Sequence, residues 1–174
     1  MAIHTLPSAE ELRNILYYDP ETGIFLWRIK KGRSTPGCAA GNVRPDNYCI
    51  IKIAGKKYFA HRLAWKIYTG TDPVNNIDHI NGRPSDNRIS NLREATASQN
   101  QHNIPAQRNN TSGVKGVSRH KLSGKWLAQI CKNGKTINLG IFPTISAATV
   151  AHRAAAALLH GQFMNLNTRE NNNV

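Results

Sequence analysis

The N-terminal third of the chain alternates short apolar runs with turn residues. In "SAEELRNIL", Leu12, Ile15 and Leu16 share one helical face, and Ser8 precedes two acids as a helix N-cap would. The turn sequence "DPETG" then separates this segment from the apolar run "IFLW", and Gly55 divides "NYCIIKIAGKKYFA" into two alternating halves. The pattern predicts a short helix followed by a β-meander.

A second amphipathic segment, "HRLAWKIYTG", places Leu63, Ala64, Ile67 and Tyr68 at helical spacing and stops at Gly70. The polar stretch "IDHINGRPSDNRISNLREATASQN" follows. It is rich in Asn and His, which are poor core residues and mediocre helix formers, so it requires either a loop-forming or a chemical explanation. We expect a strand, a long polar loop, a returning strand "NLREAT" and then a helix.

Polar, Pro- and Gly-punctuated sequence separates this part from the rest of the chain. The stretch "NIPAQRNNTSG" is typical of a linker. We therefore predict a first domain over residues 1–105, a linker over 106–112, a second domain over 113–167 and a polar tail over 168–174.

The second domain has the pattern of three short strands and one helix. The strands are "VKGVSRHK", "KWLAQICK" and "KTINLGIF", and Asn133-Gly134 between the last two is a strong hairpin signal. An alanine-rich helix runs from the N-cap Thr144 to Gly161. The fold class predicted for the whole chain is α+β.

Charge points to a polyanionic partner. The formal net charge is +13 and the isoelectric point is near 10.1. Residues 1–105 hold 14 Lys and Arg against 9 Asp and Glu, whereas residues 106–174 hold 9 against 1. Because the acid-poor part also carries apolar residues in strand-like order, it indicates a folded nucleic-acid binder rather than a disordered basic tail.

Cysteine spacing and hydropathy indicate the cellular compartment of the protein. Cys38, Cys49 and Cys131 form no C-x-x-C pair and no even disulfide framework, so neither a zinc knuckle nor a secreted scaffold is expected. Acids stand where a signal peptide would be apolar, and no stretch has the length of a membrane span. We expect a soluble cytoplasmic protein with no membrane partner.

The polar stretch fits phosphodiester hydrolysis. Such chemistry needs a hard cation on oxygen ligands and a base for the attacking water. On a strand, Asp78 and His79 point to opposite faces, so one can hold metal while the other addresses water. A helix starting near Ala97 would return Asn100 to Asp78.

The motif "DHINGRPSDNRISNLREATASQN" resembles the HNH nuclease family, with its ββα-metal fold, and within it the phage and intron-encoded homing endonucleases. "DPETGIFLW" and "AHRLAW" are similar to the lead-in of phage HNH proteins. The resemblance implies that His79 is the general base, that Asp78 and Asn100 bind the metal, and that Asn91 staples the loop.

Several consequences are expected from this resemblance. The ion is magnesium, with manganese as a substitute, and not zinc. The products carry 5′-phosphate and 3′-hydroxyl ends, and one catalytic cluster per chain makes a monomer nick one strand. The substrate is double-stranded DNA, in a bacterial host cell that a phage or mobile element has entered.

The C-terminal pattern resembles the plant Apetala/ethylene-response-factor DNA-binding domain. Its landmarks are "KGV", "GKW", "LGIF", "RAA" and "NLN", although Ser118 and Cys131 replace arginines that are usual there. The resemblance implies a three-stranded antiparallel sheet on one Ala-rich helix, lying in the major groove. The residues it makes DNA-facing are Lys115, Arg119, Lys125, Trp126 and Gln129.

Purely structural roles are the alternatives for several of these residues. Asn81, Ser85 and Asn87 are expected to be loop formers, since Asn and Asp stabilise turns locally. His102 could assist Asn100 as a ligand. Arg62 is a candidate DNA contact that could equally serve helix packing, as could His61. Strand alternation places Trp126 with Ala128 and Ile130 on the helix-packed face, so Trp126 could be a core residue.

Two other functions remain open at this stage. The first is a non-catalytic, sequence-specific DNA-binding regulator that uses the nuclease fold only as a scaffold. The second is an RNA-processing nuclease, which is less favoured because no aromatic stacking platform is evident.

Overall fold

The computed structural model describes residues 5–103, 110–132 and 134–163. The chain divides into two compact units, Met1–Thr96 and Ala97–Val174. The sequence placed the boundary some ten residues later, at 105/106. Most of the predicted linker 106–112 and the tail 168–174 lie outside the described residues, so both remain predictions.

The first unit opens with helix α1, Ala9–Ile15, which a capping box begins. Ser8 Oγ accepts from Glu11 N at 3.1 Å, and Glu11 Oε2 accepts from Ser8 N at 2.8 Å. The predicted N-cap is thus confirmed. The prediction that Leu16 extends the helix was wrong, because Leu16 is extended and pairs with Trp27 in a two-stranded sheet.

Two small antiparallel sheets follow in place of a single meander. Strands β1 (Leu16–Tyr18) and β2 (Phe25–Trp27) form the first sheet. Strands β3 (Asn42–Val43), β4 (Cys49–Ile53) and β5 (Lys56–Phe59) form the second in the order β3-β4-β5.

Helix α2 (Ala60–Thr69) ends at Gly70, which has φ of 81°, as the sequence predicted. Strands β6 (Asn76–His79) and β7 (Leu92–Ala95) then form a hairpin whose connection closes with a 3₁₀ turn at Ile89–Asn91. One apolar core joins α1, both small sheets, α2 and this hairpin. Its fully buried large side chains are Leu12, Leu16, Ile51 and Leu63.

A turn at Asp19–Gly23 lies directly against the β6–β7 loop. A Cβ added to Gly23 would come within 2.5 Å of Arg88 N and 2.6 Å of Asn87 C, and Gly23 has φ of +74°. Ile89 N also donates to Pro20 O at 3.0 Å. No side chain fits between these two backbones.

We expect Gly23→Ala to lower the free energy of unfolding of the first unit by about 2 kcal/mol, through left-handed strain and backbone overlap. Gly32→Ala is the matched control, because Gly32 also has positive φ but a Cβ there meets no atom within 4 Å. The control should lose only about 1 kcal/mol. Urea unfolding of both variants tests this, and equal losses would contradict the role of the contact.

The second unit contains α3 (Ala97–Asn103), three strands and α4 (Ile145–His160), which leads into a 3₁₀ turn at Gly161–Phe163. Helix α3 contacts that 3₁₀ turn. Strands β8 (Val117–Arg119), β9 (Trp126–Lys132) and β10 (Lys135–Phe142) form one antiparallel sheet in the order β10-β9-β8, and α4 packs against it.

The ends of α4 follow the sequence prediction. Thr144 Oγ1 accepts from Ala147 N at 3.2 Å, and Gly161 is the C-cap. Lys132 pairs with Lys135 across the predicted hairpin, although Asn133 lies outside the described residues. Within the part of the chain that the structure describes, no helix has the length and apolar character to cross a bilayer.

Candidate active site

The β6–β7 hairpin carries adjacent acidic and imidazole side chains at the end of β6. Asp78 pairs with Arg93 and His79 with Leu92 in the antiparallel register. Asp78 and His79 are each only 5% exposed. Because Ile77 and Leu92 belong to the apolar core, the hairpin fixes the backbone beneath both polar residues.

Asp78 forms a buried ion pair. Arg93 Nε and one terminal guanidinium nitrogen approach Asp78 Oδ2 at 2.9 and 2.7 Å. The Arg93 and Asp78 side chains are 12% and 5% exposed. An ion pair this shielded holds the orientation of the carboxylate far more firmly than a surface pair would.

Asn91 ties the two ends of the intervening loop together. Its Oδ1 accepts from Asn81 N at 2.9 Å, and its Nδ2 donates to Asp86 O at 2.8 Å. Ile80 N donates to Asn91 O at 2.9 Å. These bonds to backbone groups are the ones that a loop staple requires.

Asp86 organises the middle of the same loop. It accepts from Asn81 Nδ2 at 2.7 Å and from Arg88 Nε at 2.8 Å. The Arg88 guanidinium is the main reason that the pKa of Asp86 falls to about 2. The loop therefore keeps an ionised carboxylate at physiological pH.

His79 sits among ring systems and one carboxamide. Its Nε2 lies 3.4 Å from Asn87 Oδ1, and its ring centroid lies 5.1 Å from that of His61 and 6.0 Å from that of Tyr48. Burial lowers the pKa of His79, while the bond to Asn87 and the nearby carboxylates of Asp78 and Asp86 act in the opposite direction. A lowered pKa keeps the imidazole neutral, which a proton acceptor needs.

His61 is the second imidazole of this cluster. It is 7% exposed, stacks on Phe59 with a centroid distance of 5.3 Å, and has a buried Nδ1 with no hydrogen-bond partner among the described residues. Burial is the largest cause that lowers the pKa of His61 to about 3, with His79 and Arg62 adding to it. His61 is therefore neutral at physiological pH.

Two residues beside His79 were not assigned to it from the sequence. Asn87 was expected to be a loop former and His61 an even choice between DNA contact and packing. Asn87 is 3% exposed and touches the imidazole, and His61 lies against its ring. A buried Asn in a polar loop is a weak sequence signal, whereas the His-Arg pair at the start of an amphipathic helix could have indicated a polar function.

Asn100, the other expected metal ligand, lies in α3, which belongs to the second unit. Its association with Asp78 therefore stays a prediction. His102 is also in α3, but its side chain is outside the described part. The structure thus brings Asp78, His79 and Asn91 into one hairpin.

The donor chemistry of the expected ligands suits a hard divalent ion. Asp78 supplies a carboxylate and Asn100 a carboxamide oxygen, which magnesium and manganese accept. Among residues 5–103, 110–132 and 134–163, no three His, Cys, Asp or Glu side chains cluster as a metal site. A carboxamide ligand falls outside that set of residue types, so the pair Asp78 and Asn100 stays a prediction.

The predicted DNA contacts of the second unit divide between two faces of the sheet. Trp126 is half-buried among the residues packed on Val117, Ala128 and Ala148, as strand alternation predicted. Gln129 lies on the opposite face of β9. A DNA contact by Trp126 stays a prediction.

The remaining cations differ in their surroundings. The Arg119 guanidinium lies 4.4 Å from the Trp126 ring centroid and donates to Gly124 O. Lys125 is exposed, whereas Lys115 is half-buried, and burial lowers its pKa. In the first unit, Arg62 is half-buried on α2.

Comparisons with known proteins give a family match over this part of the chain. The model of the HNH endonuclease family matches residues 58–102, which include α2, the hairpin and Asn100. Protein 3.8 of Escherichia phage T7 is 33% identical over 104 residues, which cover 59% of this chain and 85% of that protein.

One solved structure is also similar, "DNA binding and cleavage by the HNH homing endonuclease I-HmuI". It aligns with 89% of this chain and 90% of its own, at 16% identity and a TM-score of 0.41. A likeness this weak supports no conclusion about function.

Proposed function

Because the chain belongs to the HNH endonuclease family, we propose that it is a metal-dependent DNA endonuclease that nicks one strand of a duplex. One observation carries the proposal: the buried neighbours Asp78 and His79 end a core-anchored strand inside the family match. Asn91 closes the loop that follows them. Burying two polar side chains costs stability, so their burial favours a catalytic role over that of a binding scaffold.

His79 is the general base of the proposed reaction. Its neutral imidazole accepts a proton from water, and the water oxygen forms a bond to phosphorus. The bond from phosphorus to the 3′ oxygen breaks, and the 3′ oxygen keeps the electron pair and takes a proton from solvent. The products carry a 5′-phosphate and a 3′-hydroxyl.

Asp78 and Asn100 are the proposed ligands of a divalent metal ion, most simply Mg²⁺, which Mn²⁺ can replace. Such an ion, when bound, supplies positive charge to the phosphate and to the departing 3′ oxygen. Arg93, on the paired strand β7, holds the carboxylate of Asp78. The role of Asn100 rests on the sequence resemblance alone.

The second unit is the proposed duplex-binding module. Its acid-poor composition supports this role, and its proposed contacts are Lys115, Arg119, Lys125, Trp126 and Gln129. Arg62 is a further proposed contact from the first unit. The relative from a phage supports a phage- or mobile-element-encoded protein inside a bacterial host. The proposed acting form is a monomer, with one catalytic cluster per chain.

Cleavage of supercoiled plasmid, with magnesium and with chelator, tests the proposal. We expect nicked circles before any linear product, no cleavage once the metal is chelated, and recovery with manganese. His79→Ala protein purified in parallel controls for contaminating nucleases. If the wild type shifts the mobility of the plasmid but never cuts it, the chain is instead a DNA-binding regulator.

A further inference from the structure

The bond between His79 and Asn87 identifies which nitrogen of the imidazole carries hydrogen. Asn87 Nδ2 donates to Ser85 O at 3.2 Å, and a carbonyl can only accept. This contact fixes the orientation of the amide, so the amide oxygen is the atom that faces His79 Nε2 at 3.4 Å. An amide oxygen also only accepts, so Nε2 bears the hydrogen and the lone pair of the neutral ring lies on Nδ1.

Asn87 is itself held by a distant segment. Tyr18 Oη donates to Asn87 O at 2.8 Å in a buried bond between residues 69 positions apart. The turn at Asp19–Gly23 abuts the same backbone, because Gly23 leaves no room for a Cβ beside Asn87 and Arg88. Two contacts from the N-terminal segment therefore set the position of this one loop residue.

We propose that Asn87 is a positioning residue of the reaction, which keeps His79 as the Nε2–H tautomer and so makes Nδ1 the proton acceptor. Tyr18 and the turn at Asp19–Gly23 hold Asn87 in place for that task. The inference rests on the proposed function and deepens it. A residue that merely formed the loop would affect stability without affecting the tautomer.

Long-range ¹H–¹⁵N spectra of the histidine rings of the full chain test the tautomer directly. The His79 signals are assigned by their loss in His79→Ala. We expect the Nε2–H pattern in the wild type, and an added Nδ1–H population in Asn87→Ala. Asn87→Asp keeps an acceptor oxygen and should retain the Nε2–H pattern. Asn81→Ala removes a carboxamide of the same loop that donates to Asp86, and should also retain the Nε2–H pattern.

Steady-state cleavage kinetics provide the second readout. Asn87→Ala should lower kcat by about 10- to 100-fold with KM unchanged, because misorienting a base slows chemistry rather than binding. Tyr18→Phe should lower kcat by about threefold, and Asn87→Asp should be faster than Asn87→Ala.

An Nδ1–H pattern in wild type, or an Asn87→Ala variant with unchanged tautomer and kcat, would overturn the proposal. If Asn87→Ala does not fold, Tyr18→Phe and Asn87→Asp still decide it. Absence of cleavage by the wild type would refute the nuclease function instead, and the spectra would still report whether Asn87 sets the tautomer.

Discussion

His79→Ala should slow DNA cleavage by about 10²- to 10⁴-fold, which is the usual contribution of a positioned general base. The variant loses the proton acceptor for the attacking water, while Asp78 keeps its ion pair with Arg93. Burial lowers the pKa of His79, so the wild-type ring is already neutral at pH 7. Single-turnover cleavage at saturating enzyme measures the loss.

Folding and DNA affinity should survive this substitution. His120→Ala is the matched control, because it removes an imidazole from the second unit, where His120 Nδ1 lies 2.9 Å from Ser123 Oγ. The control should cleave at nearly the wild-type single-turnover rate. A His79→Ala variant that binds DNA and cuts within a few-fold of the wild type would refute the role of His79.

Acid should destabilise the first unit through His61, by about 3 kcal/mol between pH 6.5 and pH 4. In the unfolded chain His61 titrates near 6.5, whereas burial lowers the pKa of the folded residue to about 3. Between these values the unfolded state binds the additional proton, so stability is present above pH 6.5 and is lost as pH falls towards 3. The ring is only 7% exposed, so water can solvate little of the charge that protonation adds.

Comparison with His61→Gln isolates this contribution. Both proteins should carry Trp126→Phe, so that urea unfolding is followed by Trp27 and Trp65 of the first unit. The acid sensitivity of the carboxylates and of His79 is common to both, so the wild type should lose more stability than His61→Gln as the pH falls through 5. Parallel stability curves would contradict the burial of a neutral imidazole.

Local sequence signals predicted the elements that depend on neighbours in the chain. The capping residues Ser8 and Thr144 and the terminal glycines Gly70 and Gly161 act within one helical turn, so their helices could be placed. Leu16 could not, because its extended conformation depends on pairing with Trp27.

The candidate site likewise combines residues that the sequence indicated with residues that only the tertiary fold brings together. Asp78, His79 and Asn91 share one hairpin, and the resemblance of the motif to the HNH family singled them out. Asn87 and His61 contact His79 only because of tertiary packing. Helix α2 places His61 against the imidazole ring, and a turn some 65 residues earlier packs against the loop at Asn87. No local pattern records a contact of that range.

The core of the first unit sets the smallest piece of this nuclease that could work alone. The family match covers residues 58–102. Its apolar residues Leu63, Ile77 and Leu92 pack in one core with residues that precede the match, such as Leu12 and Phe25. An excised segment 58–102 would expose that apolar surface and lose the hydroxyl of Tyr18. The segment that the family model matches is therefore not an autonomous module, and a minimal enzyme or a graft must begin ahead of α1.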